Sequence, residues 1–209
     1  MSTRKKANSP WPAYKAEAAD GRRQRSSRSR RRIIEAMFEL LRDGNLAPSA
    51  AEVADRADVG LRSVFRHFED MDSIYYEMTE EIQAIAMPRV MAPFEATTWR
   101  EQLFECIERR AEIYEVIFPI KLAMAMRYFQ SKFIQKQYKR DLALERSSLK
   151  VFLPKEIVSN RILFSAIEAS LSFVTWRRLR QDQNLSVTTA KASMRLMVEG
   201  LIAQVDRDD

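Results

Sequence analysis

The sequence is poor in the residues on which several classes of protein depend. Its 209 residues include one cysteine, Cys106, and one histidine, His67. A single cysteine excludes an internal disulfide framework and is typical of a reducing compartment, and a single histidine leaves no histidine cluster for a metal. No glycine-rich phosphate loop or nucleophile–base pair is present. We therefore expect no catalytic residues, no metal and no cofactor.

Long hydrophobic runs are also missing. No apolar run approaches the roughly 18 residues that cross a bilayer, and the first ten residues lack the apolar core of a signal peptide. Four glycines and seven prolines leave few tight turns for a β-rich fold. Hydrophobic residues make up 46% of the chain, which is enough for a sizeable core. These features predict a cytoplasmic globular protein.

Positive charge is concentrated at the N-terminus. The first 32 residues hold eleven basic and two acidic residues, whereas the whole chain has a net charge of only +6, so the rest is net acidic. Such an arm is suited to polyanions, because each neutralised phosphate releases a counterion. A solubilising tail and an anchor to anionic lipid are the alternatives.

Apolar periodicity predicts a first helix over about 28–43, with Gly44 in the position where a left-handed residue ends a helix. Ser49 and Glu52 form an S-x-x-E capping box, so a second helix should begin there. Gly60 can adopt backbone angles that other residues avoid, and a third helix should follow over about 61–67. Further helices are predicted at about 72–87, 97–117, 119–129, 132–151, 156–182 and 187–205.

Two short helices joined by a tight turn are typical of a helix-turn-helix. Val64 and Phe68 should face inward, which leaves Arg62 and Arg66 on the opposite face. Arginine donates two hydrogen bonds to guanine in the major groove, and Ser49 at a helix N-terminus is suited to a phosphate. The predicted DNA-binding residues are Arg28, Arg30, Arg31, Ser49, Arg62, Ser63, Phe65, Arg66 and His67.

Residues 33–75 resemble the DNA-binding domain of the tetracycline-repressor (TetR) family. Val53-Ala54 stands for the family's Ile-Ala pair, Ala57-Asp-Val-Gly60 for its Ala-Gly-Val-Ser turn, and Ser63-Val-Phe-Arg-His-Phe68 for its Thr-Leu-Tyr-x-His-Phe segment. Phe65 lacks the tyrosine hydroxyl that usually contacts a phosphate, Met71 stands where a phosphate-binding lysine is frequent, and Arg62 replaces a frequent glycine. We expect the arginine arm to supply part of the lost contact with the DNA backbone, and Arg62 to add a base contact.

The resemblance implies an all-α fold in which a three-helix DNA-binding domain precedes a larger ligand-binding and dimerisation domain. We expect a basic flexible arm at 1–27, the helix-turn-helix domain at 28–75 and the regulatory domain at 76–209. Flexible methionines and rigid aromatic residues make adaptable apolar pockets, although at helical spacing such residues also form ordinary cores. The predicted pocket residues are Phe104, Ile107, Tyr114, Phe118, Met124, Tyr128, Phe133, Tyr138, Phe173 and Trp176.

A near-heptad apolar stripe follows the last predicted helices and indicates a four-helix interface between two subunits. The alternative is that the stripe packs within its own chain. The predicted interface residues are Leu163, Ile167, Leu171, Val174, Met194, Met197, Val198 and Leu201.

The expected function is a homodimeric transcriptional regulator, a repressor, that binds a palindromic double-stranded DNA operator and responds to a small, apolar effector. A regulator of the same fold that activates, or that responds to a protein or to nothing, is one alternative. A basic-armed helical protein that binds anionic membrane or nucleic acid without sequence specificity is another. A helical enzyme ranks last.

Overall fold

A computed structural model of the chain describes residues 21–205, with side chains from Arg25 onward. Within this range every regular element is helical, which confirms the all-α prediction. The first 20 residues of the predicted arm lie outside the described residues. No helix between residues 21 and 205 is both long and apolar enough to cross a membrane. The helices are α1 (Gly21–Arg42), α2 (Ala50–Arg56), α3 (Leu61–His67), α4 (Met71–Met91), α5 (Trp99–Arg127), α6 (Lys132–Lys150), α7 (Lys155–Ser159), α8 (Arg161–Ser170), α9 (Phe173–Arg177) and α10 (Val187–Ile202), with a π-helical turn at Arg178–Asp182 between the last two.

Helix α1 begins at Gly21, seven residues before the predicted start. Arginine and glutamine are good helix formers, and neither glycine nor proline interrupts residues 22–43, so the helix extends through the basic segment. At its other end Gly44 has a φ of 92°. The amides of Gly44 and Asn45 donate to the carbonyls of Leu41 and Leu40, which is a Schellman motif. The predicted left-handed position is confirmed.

Two prolines lie inside helices, although the predicted helices stop just before Pro88 and are divided at Pro119. Pro88 is in the last turns of α4, and Pro119 lies within the 29 residues of α5. A proline removes one helical hydrogen bond. Ile117 and Ile120 are both buried on either side of Pro119, and their packing favours continuation of the helix. The predicted helices 97–117 and 119–129 are therefore one helix.

The predicted helix 156–182 is in turn several shorter elements. Asn160 accepts a hydrogen bond from the amide of Leu163 and caps α8, and Ser172 accepts one from Thr175 and caps α9. Asparagine and serine are strong N-caps because their side-chain oxygens satisfy amides that lack helical partners. These two residues break the helix where no glycine or proline is present.

The buried residues form two hydrophobic cores. The first core joins helices α1–α4 with Ile120, Ala123, Met124 and Ile134. The second core comprises most of α5 and the helices after it, and Trp176, which is fully buried, is its largest side chain. Helix α5 thus contributes buried residues from Leu103 to Ile117 to the second core and from Ile120 to Met124 to the first.

Candidate nucleic-acid interface

The turn between α2 and α3 contains a residue in the left-handed region. That residue is Asp58, with a φ of 49°, whereas Gly60 has ordinary extended angles (φ −68°, ψ 146°). The expectation that Gly60 provides the unusual backbone angle is therefore wrong. Aspartate tolerates this conformation better than most residues because of its short polar side chain. Arg32 holds it in place by donating to the Asp58 carbonyl at 3.1 Å and to its carboxylate at 2.8 Å.

We predict that Asp58→Ala lowers the free energy of unfolding by about 1–2 kcal/mol, because alanine has a steric clash in the left-handed region. Asp58→Gly should be close to the wild type, since glycine adopts this conformation freely and the exposed ion pair with Arg32 contributes little. Urea denaturation followed by circular dichroism compares the two variants. An equal loss in both would attribute the effect to the ion pair instead of the backbone.

Helix α3 presents its outer face to solvent. Val64 and Phe68 are buried at 1% and 2% exposure, as predicted, which directs the intervening residues outward. Leu61 is 45% exposed and Phe65 54% exposed, and both Arg62 and Arg66 are exposed beside them. No acidic residue occurs within α3. This face therefore combines two cations with two large apolar side chains.

The hydroxyls at this surface are already engaged. Ser49 and Glu52 form the predicted capping box at the start of α2: the amide of Glu52 donates to Ser49 Oγ at 3.2 Å, and the hydroxyl donates to the Glu52 carboxylate at 2.7 Å. Ser63 accepts a hydrogen bond from Arg66 at 3.3 Å. A phosphate at Ser49 would have to compete with its carboxylate partner, so this prediction has weak structural support.

Arg30 belongs to the protein framework. Its guanidinium forms an ion pair with Glu77 of α4 at 2.8 Å and donates to the carbonyl of His67 at 2.6 Å. It also lies over the ring of Phe68, 4.4 Å from the ring centroid. Arg30 thereby ties α1 to the end of α3 and to α4, which orients the outer face of α3. A DNA contact through Arg30 stays a prediction.

Of the other predicted arm residues, Arg31 pairs with Glu35 at 2.7 Å, while Arg28 is exposed. Because α1 is helical here, Arg25, Arg28 and Arg32 share one face at intervals of three and four residues. Arg32 contacts the turn before α3, so this face of α1 lies on the α3 side of the molecule. The sequence analysis named neither Arg25 nor Arg32 as a DNA contact. Arg32 lies four residues after Arg28 within the predicted helix 28–43, whereas Arg25 joins this face only once the helix is extended to Gly21.

His67 is the last residue of α3 and is half-buried, and its Nε2 atom has no hydrogen-bond partner. Burial lowers the pKa of His67 below its ordinary value of 6.5; Arg66 and Arg30 lower it further, and Glu77 opposes them. The folded protein therefore favours the neutral imidazole. At this position the neutral imidazole can pack against its neighbours and can donate or accept a hydrogen bond.

A pH dependence of stability follows from this lowered pKa. Below pH 6.5 the unfolded chain binds a proton at His67 more readily than the folded chain does, so the histidine's stabilising contribution is complete above pH 6.5 and declines as the pH falls. We expect wild-type stability to fall more steeply than that of His67→Gln between pH 7.5 and 5.5. Chemical denaturation at several pH values measures this difference. Parallel curves would show that His67 titrates alike in both states.

The structure does not bring the ten predicted pocket residues together. Met124, Tyr128 and Phe133 pack in or against the first core, and Tyr138 is 45% exposed. The remaining six are in or against the second core. An open groove of about 890 Å³ lies elsewhere, beside the loop between α4 and α5, and is lined mainly by polar residues that include five glutamates. None of the ten predicted residues lines it.

The near-heptad stripe packs largely within its own chain. Leu163, Ile167, Leu171, Met194 and Val198 are all buried in the second core, and Leu201 packs against it. These side chains therefore have little exposed surface, and their role in a dimer interface stays a prediction. Val174 and Met197 are exposed. Ile162 on α8 and Leu196 on α10, which the sequence analysis did not name, are 85% and 71% exposed.

No protein-family model matches the sequence, and no curated protein matches it. The fold is similar to that in the crystal structure of a transcriptional regulator from Rhodococcus sp. Rha1, with a TM-score of 0.65 and 15% sequence identity. The alignment covers 84% of this chain and 97% of the other. A similarity at this level of identity establishes a shared helical fold.

Proposed function

We propose that this protein is a sequence-specific DNA-binding regulator of TetR type, a repressor that binds a palindromic operator as a homodimer. The observation that carries the proposal is the outer face of α3. It is the second helix of a helix-turn-helix, and it exposes Arg62, Arg66, Leu61 and Phe65 with no acidic residue between them.

This composition matches the major groove of B-form DNA. Arginine donates to the N7 and O6 acceptors of guanine, and apolar side chains contact the methyl group of thymine. The arginine face of α1 is suited to the adjoining phosphates, where contacts set register without reading sequence. In this arrangement Arg30 and Glu77 hold α3 at its angle to the domain, and Arg62 and Arg66 select bases.

A homodimer is supported by exposed apolar side chains on neighbouring helices. Helices α8 and α10 pack side by side, and Ile162, Leu196 and Met197 are exposed on them. Exposed apolar side chains on neighbouring helices favour association. A two-fold axis through this surface pairs two α3 helices, and helix-turn-helix dimers bind half-sites about one helical turn apart.

The proposed effector is a small apolar molecule that acts through the second core. Its support is an aromatic cluster: Phe173 lies 5.5 Å from both Tyr114 and Phe118, measured between ring centroids, and Phe118 and Phe173 are only half-buried. Such an effector can weaken DNA binding only by the difference between its affinities for the two arrangements of the α3 helices.

Selection from a randomised duplex pool at two salt concentrations tests the proposal. We expect enrichment of a palindrome, and the spacing of its half-sites measures the separation of the α3 helices. Strongly salt-dependent binding without an enriched sequence would reject the operator and leave a general polyanion-binding protein. In that event, binding to anionic vesicles would distinguish a lipid surface from nucleic acid.

A further inference from the structure

Helix α6 carries a row of cations that the α3 surface does not explain. Four exposed residues, Lys132, Lys136, Lys139 and Arg140, occupy one face, within an arc of about 100° at 100° per residue. None of them forms an ion pair with a described residue closer than 4 Å. The row is conspicuous because the chain beyond residue 32 is net acidic.

The two acidic residues of α6 do not neutralise this row. Asp141 forms an ion pair with Lys121 of α5 and accepts a hydrogen bond from Gln137. Burial raises the pKa of the Glu145 carboxyl group, and the positive charges of Arg110 and Lys121 oppose this shift. Both carboxylates therefore serve contacts inside the protein, and the outer face of α6 presents positive charge alone from Lys132 to Arg140.

The start of α6 is held close to α3. Ser131, which caps α6, donates to the Asp72 carboxylate at 2.6 Å, and Arg127 donates to the same group at 3.3 Å. Asp72 is in the first turn of α4, and only residues 68–70 separate α4 from α3. The rings of Tyr76 and Phe133, 5.7 Å apart, continue the contact along the two helices. The basic row thus begins at the α3 side of the molecule.

We infer that the near end of this row, Lys132 and Lys136, binds DNA phosphates that flank the sequence contacted by α3. The inference rests on the proposed function, because it places DNA against α3. Charge complementarity supports it: each lysine that neutralises a phosphate releases a condensed counterion and steepens the salt dependence of binding. Helix α6 therefore lengthens the protein's footprint on DNA without reading bases.

The test compares two duplexes that carry the selected operator, one ending two base pairs beyond it and one extended by ten base pairs on each side. Wild type should bind the longer duplex more tightly and with a steeper salt dependence. Lys132→Ala/Lys136→Ala should remove this preference, with a salt slope on the longer duplex shallower by about one per lysine in each subunit. Both lysines are exposed, so circular dichroism should show an unchanged fold.

Lys150→Ala/Lys155→Ala is the matched control. It removes the same charge at the last residue of α6 and the first residue of α7. Helix α6 is about 28 Å long for 19 residues at 1.5 Å each, so this variant should retain the preference for the longer duplex. Equal binding of wild type to both duplexes, or a preference that survives in Lys132→Ala/Lys136→Ala, would overturn the inference and leave the operator intact. Failure of wild type to select any sequence would instead reject the proposed function.

Discussion

Replacement of both Arg62 and Arg66 by alanine is expected to weaken binding to the selected operator by about 30-fold or more. Each bidentate contact between arginine and guanine contributes about 1–3 kcal/mol of discrimination, and the two exposed side chains have no carboxylate partner in the described structure that would hold them away from DNA. Binding to unrelated duplexes should change much less. Titration of operator and scrambled duplexes at the same salt concentration separates the two effects.

The single variant Arg62→Ala refines this expectation. If Arg62 contacts a base, selection with the variant should yield the same palindrome with one position relaxed. Lys155→Ala, which removes an exposed cation from α7, controls for the loss of charge and should leave both affinity and sequence unchanged. An equal loss of affinity on every sequence would identify Arg62 as a phosphate contact.

Arg110→Ala is expected to cost about 3–5 kcal/mol of stability, because it leaves a cavity in the second core and removes the hydrogen bonds of a buried, charged donor. The guanidinium of Arg110 is buried in the second core and links three helices of the fold. It donates to the Leu171 carbonyl at 3.1 Å, to the Glu145 carbonyl at 2.9 Å and to Ser148 Oγ at 3.2 Å. Denaturation by urea measures the loss.

Two further variants locate the origin of this loss. Arg110→Met fills most of the vacated space without restoring the hydrogen bonds. It should therefore recover only the part of the lost stability that arises from packing. Arg195→Ala removes an exposed arginine that pairs with Glu199 one turn away, and it should cost less than about 1 kcal/mol. Similar losses in Arg110→Ala and Arg195→Ala would contradict the role of the buried network.

Local signals in the sequence were sufficient where neighbouring residues determine the structure. The Ser49–Glu52 capping box and the left-handed Gly44 each depend on a few adjacent residues, and both are confirmed. The prolines show the opposite case. Pro88 and Pro119 lie within continuous helices. At Pro119 the burial of Ile117 and Ile120 outweighs the local tendency of proline to interrupt a helix.

The candidate site also contains some features that the sequence predicts and others that it does not. The inward direction of Val64 and Phe68, and with it the outward face of α3, follows from helical periodicity alone. The ion pair between Arg30 and Glu77 joins residues 47 positions apart, and no spacing rule predicts such a pair. Charge composition predicts a DNA contact at Arg30, but it does not reveal that this cation also has a partner inside the fold.

Helix α5 has a consequence for how the protein unfolds. Its buried residues from Leu103 to Ile117 belong to one core, and those from Ile120 to Met124 belong to the other. Neither core can lose its structure without fraying a helix that the other requires, so the chain should melt in one cooperative transition even though it has two hydrophobic centres. Amides on both sides of Pro119 would then exchange with solvent at the same, globally limited rate.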